Sequence, residues 1–115
     1  MVAKADKKWE GLAWTPITNF YFTDEAPFAV VKVYITVPHV HEIPQDDIKF
    51  MIDERSCELM IRDMNSVNLR LQLNPLWSYV IPSQCDIVVK KNKLIIKIVK
   101  KDMNHNGPWQ KLQVT

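Results

Sequence analysis

At 115 residues, 47% hydrophobic and 24% charged, the chain has room for one core but not for a core plus a separate catalytic lobe, and its balance excludes intrinsic disorder. A formal charge of +2 gives nucleic-acid binding no support by itself, since that binding needs a concentrated basic face. No apolar run approaches the roughly 20 residues that span a bilayer, and residues 1–10 form a lysine-rich lead without the apolar centre of a signal peptide, so the expected compartment is the cytoplasm, with the nucleus second.

Residues 1–16 are expected to be a linker or the end of a preceding module, because Trp9 and Leu12 stand among lysines without a period. Ile17, Phe20 and Phe22 suit an edge strand that begins after Pro16, since proline offers no donor to a ladder. A polar turn at Asp24, Glu25, Ala26 and Pro27 leads to the clearest signal in the chain. Val31, Val33, Ile35 and Val37 fall on one side of an extended backbone, and Lys32, Tyr34 and Thr36 on the other. Pro38 and Pro44 bracket a rigid loop over His39–Ile43. Ile48, Phe50 and Ile52 resume the alternation, Asp53–Ser56 turns, and Cys57, Leu59 and Ile61 complete a hairpin.

After a second turn at Asp63–Val67, Leu69, Leu71 and Leu73 make a fifth strand. Asn74–Pro82 holds Leu76, Trp77, Tyr79, Val80 and Ile81, too apolar for a solvated loop, and predicts a crossover plugging one end of the core. Cys85, Ile87 and Val89, a turn at Lys90–Asn92, and Leu94, Ile96 and Ile98 form the last hairpin. With glycine only at Gly11 and Gly107, Asn92 is the residue expected to take a left-handed conformation. The whole predicts an all-β fold, a seven-stranded antiparallel β-sandwich over residues 17–112, with 113–115 as a tail.

Chemistry is sparse in this frame. His39 and His41 share a face beside Glu42, but a tetrahedral metal site needs further ligands and the remaining histidine, His105, lies in the tail, so no metal is expected. There is no Gly-x-Ser-x-Gly elbow and no glycine-rich phosphate loop, and Cys57 and Cys85 read as buried, reduced thiols. The acids Asp46, Asp47, Asp53, Glu54, Glu58 and Asp63 fall in turns or on outward strand positions. No acid, base and nucleophile set can be assembled, so neither an enzyme nor a cofactor is expected. Lysines gather on the last hairpin (Lys90, Lys91, Lys93, Lys97, Lys100, Lys101), where Lys93, Ile95 and Lys97 share the outward face. They read either as a solvated, charge-protected edge or as a surface for an acidic partner that also carries apolar side chains.

The order of these motifs resembles the CS domain, the sandwich of CHORD-containing proteins, the Sgt co-chaperones and the small prostaglandin-E-synthase-type co-chaperone. The likeness rests on Phe20-Tyr-Phe22, Val31-Lys-Val-Tyr-Ile-Thr36, Asp53-Glu-Arg-Ser-Cys-Glu-Leu59, Ile81-Pro82, Lys93-Leu-Ile-Ile-Lys-Ile-Val-Lys100 and Trp109-Gln-Lys-Leu112. Val40-His-Glu-Ile-Pro44 and Glu54-Arg-Ser56 are similar to its calcyclin-binding, Siah-interacting branch. The resemblance implies that Trp109 and Leu112 fold back over the open end of the sandwich. It also implies an adaptor, monomeric as an isolated domain, that docks to the heat-shock chaperone of the ninety-kilodalton class and belongs to a ubiquitin-ligase assembly whose other contacts lie outside this chain.

The docking face implied by Sgt-type relatives is the outer side of the sheet with the first, second and last strands, here Phe22, Tyr34, Thr36, Lys93, Ile95 and Lys97. The chain departs from the family where Phe22 replaces a common tryptophan and Ile95 an expected acid. Two other readings stand beside it. The basic hairpin with exposed aromatics suggests a single-stranded nucleic-acid binder, against which Asp46, Asp47, Glu58 and the low net charge weigh. The branch resemblance also raises phosphatase activity, for which no cysteine or metal motif is present.

Overall fold

In a computed structural model of the chain, the alternation resolves into eight strands among the described residues. They are β1 (Trp14–Pro16), β2 (Phe20–Asp24), β3 (Val30–Thr36), β4 (Ile48–Asp53), β5 (Ser56–Met64), β6 (Val67–Leu73), β7 (Asp86–Lys90) and β8 (Lys93–Val99). The described residues are 11–25, 28–64, 67–101, 109 and 111–113. The lead 1–10, Ala26 and Pro27 of the first turn, 65–66 of the second, His105, Gly107, Gln110 and the tail residues 114–115 lie outside them.

Two four-stranded sheets, ordered β1-β6-β5-β4 and β2-β3-β8-β7, face each other as the expected sandwich. The pleat explains the core directly. Val31, Val33 and Ile35 of β3 lie opposite Ile98, Ile96 and Leu94 of β8, and none of the six has any exposed surface. Leu59 and Ile61 of β5 with Leu71 and Leu73 of β6 meet them from the other sheet. Each such aliphatic side chain contributes about 1.5–3 kcal/mol by leaving water.

The strand count is eight among the described residues, not seven, because Trp14–Pro16 pairs in parallel with β6, and Ile17 then donates its N–H to the Arg70 carbonyl at 2.8 Å. The strand expected after Pro16 is β2, while β1, which ends at Pro16, is an additional strand in the opposite sheet, so strand pairing begins at Trp14 instead of residue 17. Pro16 ends an edge strand, where its missing N–H removes no interior ladder bond. Cys85 follows a 3-10 turn at Pro82–Gln84 and precedes β7, so it is not a strand residue. The loop after Pro38 is likewise wound, with 3-10 turns at Val40–Glu42 and Gln45–Asp47.

The crossover plugs the core as expected. Leu76 and Val80 are almost fully buried, and their N–H groups donate at 2.8 Å to the carbonyls of Arg55 and Glu54. Arg55 completes this clamp: its Nε donates to the Leu76 carbonyl at 3.1 Å and its guanidinium lies 5.3 Å from the Tyr79 ring centre. Trp109 and Leu112 are buried in the core cluster, and the Leu112 carbonyl accepts the Trp77 N–H at 3.1 Å. Asn92 takes the expected left-handed conformation at φ 62°, and His39 joins it at φ 68°.

Lys100, grouped by its charge with the solvated lysines, is a further correction. Its side chain is 1% exposed, and its ammonium lies 2.6 Å from Asp24 Oδ2, which also accepts the Trp109 backbone N–H at 2.7 Å. Lys100 continues the parity of Leu94, Ile96 and Ile98, so its side chain is carried inward and needs a buried counter-charge.

Removing one charge of this pair takes a buried counter-charge from the other. Asp24→Asn is expected to cost about 3–5 kcal/mol in urea denaturation, and pairing it with Lys100→Met to recover most of the loss. Val33→Asp places an uncompensated carboxylate in the core and is expected to abolish the cooperative unfolding transition altogether.

Candidate interaction surface

The outer side of the β2-β3-β8-β7 sheet is built by the residues that alternate with the core. Register places Tyr21 opposite Tyr34, Tyr34 opposite Ile95, and Ile95 opposite Val88, giving one apolar row across all four strands. The Tyr21 and Tyr34 rings stack at 5.0 Å with 16° between planes, while Tyr21 and Val88 remain 61% and 46% exposed. Cations border the row on both sides. Thr36, Lys93 and Lys90 align on one, and Thr23, Lys32, Lys97 and Asp86 on the other, where Lys32 reaches Glu25 at 3.7 Å.

Of the six residues expected on this face, the structure brings together Tyr34, Thr36, Lys93, Ile95 and Lys97. Phe22 is a correction. It lies opposite Val33 and packs against the core, because parity along β2 sends Phe20 and Phe22 inward and Tyr21 outward. Tyr21 takes its place, and the reading also missed Val88; both were accessible by counting alternate positions across from Tyr34 and Ile95.

The histidines serve the loop. His39 donates its backbone N–H to Asn92 Oδ1 at 2.8 Å, and Asn92 donates its own to His41 Nδ1 at 3.1 Å, so the loop after β3 is stitched to the last hairpin turn. Glu42 lies between the rings, 3.2 Å from His39 Nδ1 and 3.6 Å from His41 Nε2. Among the described residues no group of three or more His, Cys, Asp or Glu side chains is placed to hold a metal ion. Two of the acids expected in turns or on outward strand positions are held by arginines, Asp47 by Arg62 and Glu58 by Arg70.

Sequence comparison adds lineage to this geometry. The CS domain family model matches residues 29–100. The calcyclin-binding protein of Rattus norvegicus is 30% identical over 88 residues, 76% of this chain and 38% of that protein. The calcyclin-binding protein of Bos taurus is 28% identical over the same length, 76% of this chain and 37% of that protein, and that of Homo sapiens is 27% identical, covering 76% and 38%. The chain therefore spans less than two-fifths of the length of these relatives.

The two thiols bear on whether any nucleophile is activated. Both are free; Cys57 is buried, and Cys85 Sγ donates to the Ile81 carbonyl at 3.2 Å while accepting the Val99 N–H at 3.3 Å. Burial, helped by the nearby Cys85 and Glu58, pushes the Cys57 thiol up to about 12, and burial raises Cys85 as well. At pH 8 the native Cys57 is expected to react with a thiol-specific disulfide reagent roughly a thousandfold more slowly than in urea, in proportion to its suppressed thiolate. Because the folded value is raised, the associated stability is intact below the ordinary thiol range and is lost as pH climbs from about 9 towards about 12. Cys57→Ala is expected to flatten that alkaline loss when denaturation midpoints are compared across the same window.

Proposed function

The chain belongs to the CS domain family, and on that premise we propose that it is a non-enzymatic interaction domain that docks onto the heat-shock chaperone of the ninety-kilodalton class. The observation that carries this reading is the row Tyr21–Tyr34–Ile95–Val88 lying between lysines on a rigid sheet. Such a row loses water on contact, and the lysines on either side orient an acidic partner and speed its approach. Its stiffness matters too: a paired strand loses little entropy when a partner seats on it.

In this proposal the domain is the middle part of a ubiquitin-ligase adaptor that works in the cytoplasm and nucleus. The calcyclin binding for which the relatives are named is assigned to regions outside this chain, which spans 38% of the rat protein. The competing nucleic-acid reading loses support because Tyr21 and Tyr34 are stacked on each other and Glu25 and Asp86 stand among the lysines of the same face. Phosphatase chemistry through a cysteine would need a thiolate, and Cys57 holds its proton to about pH 12.

Titrating the isotope-labelled domain with the purified chaperone is expected to shift the amides of Tyr21, Tyr34, Val88 and Ile95. Ile95→Glu is expected to weaken binding by about tenfold or more without moving the thermal midpoint. Lys93→Glu is expected mainly to slow association and to reduce its dependence on salt. Absence of any amide shift on this face overturns chaperone docking by the domain.

A further inference from the structure

The two sheets part along the edge formed by β4 and β7, leaving a cleft of about 700 Å³ whose apolar lining, Ile43, Ile48, Phe50, Ile87, Val88 and Val89, is joined by the polar side chains of His41 and Gln45. Val89 lies opposite Leu94, which is fully buried, yet Val89 itself is 41% exposed. The inward row of β7 is therefore uncovered where the other sheet falls short. β7 is also an edge strand, paired with β8 alone among the described residues, so its other side presents backbone donors and acceptors at the mouth of the cleft.

Edge strands are ordinarily guarded by charge along their length. Here the charges stand only at the ends: Asp86 opens β7, Ile87, Val88 and Val89 follow, and Lys90 and Lys91 close it, with Lys93 across the turn. The cleft is thus apolar at its centre and basic at one end.

We propose that this cleft binds an extended segment of a partner protein, acidic at its amino-terminal end and alternately apolar after it, added antiparallel to β7. Antiparallel addition continues the pairing of every strand in this sheet and places the acidic end beside Lys90 and Lys91. Alternate side chains of the segment enter between Phe50 and Val89, while its backbone pairs with the free edge. This site is distinct from the tyrosine row, meeting it at Val88 and at the bordering Lys90, and does not depend on chaperone docking.

The probe is the nonapeptide acetyl-Glu-Glu-Glu-Ile-Thr-Val-Thr-Ile-Thr-amide, titrated into the full isotope-labelled chain. Amide shifts are expected at 86–90 and 48–51. Val89→Glu, at an already exposed position, is expected to weaken the peptide by about tenfold, and replacing the peptide's glutamates with lysines to weaken it by a similar factor. Val89→Glu should leave chaperone affinity unchanged, and Ile95→Glu should leave peptide affinity unchanged, so either surface can fail without the other. The proposal is overturned by no shift at millimolar peptide, by shifts confined to Tyr21 and Tyr34, or by equal affinity for the lysine peptide.

Discussion

Strand β3 has a hydrogen-bonded neighbour on each edge and the core beneath it, so every one of its side chains is assigned to one of two environments. Val31, Val33 and Ile35 are sealed against β8 and the opposite sheet, which leaves Tyr34 no freedom except to stand outward between Tyr21 and Ile95. A slip of one residue in this register would exchange the two sets and place lysine and tyrosine in the core. The outer row is therefore a by-product of the same constraint that makes the core. Its geometry is as fixed as the packing beneath it.

The end of the sandwich is closed differently, by charge. Asp24 at the end of β2 receives the Lys100 ammonium from just beyond β8 and the backbone N–H of Trp109, so one carboxylate joins three separate parts of the chain. A buried ion pair is seldom worth more than an apolar pair of the same volume, because desolvation offsets the attraction. What it adds here is selectivity: of the segments that could cover this end, only one that brings donors to Asp24 leaves no buried charge unpaired. Arg55 acts in the same manner on the crossover, where its guanidinium meets backbone carbonyls of Leu76 and Trp77. Apolar surface supplies the cohesion, and directional polar contacts select which loop supplies it.

The sandwich was legible in the sequence because its strongest signals are periodic, and a two-residue period reports burial without knowledge of neighbours. Its failures occurred where residue type and parity disagreed or where period was silent. Lys100 has inward parity and was read outward because lysine is so rarely buried. Phe22 was carried outward by resemblance although its parity matches Phe20, while Tyr21 was passed over. β1 has three residues, too few to show any period, and its partner β6 lies more than fifty residues away. The ties between His41, His39 and Asn92 join residues equally distant in sequence. The row of Tyr21, Tyr34, Ile95 and Val88 required strand order, which alternation within single strands does not contain. Lineage supplied the family and, with it, the expectation that this sheet faces a partner.

The last hairpin links the two surfaces. Lys93 and Lys90 border the tyrosine row, Lys90 and Lys91 stand at the end of the β4–β7 cleft, and the whole turn is held by Asn92 and its contacts with His39 and His41. Charge placed on a turn so fixed keeps a constant direction relative to both apolar features. A partner offering acids beside an apolar strip can therefore be oriented before it touches either surface, since screened attraction still acts across roughly 8–10 Å at physiological salt. The choice between surfaces then rests on shape. A folded partner presents a broad face that suits the flat row, while only an extended chain can place side chains between two sheet edges and pair with the backbone of β7. Under the two proposals the same lysines attract both kinds of partner, and the backbone geometry beneath them separates the two.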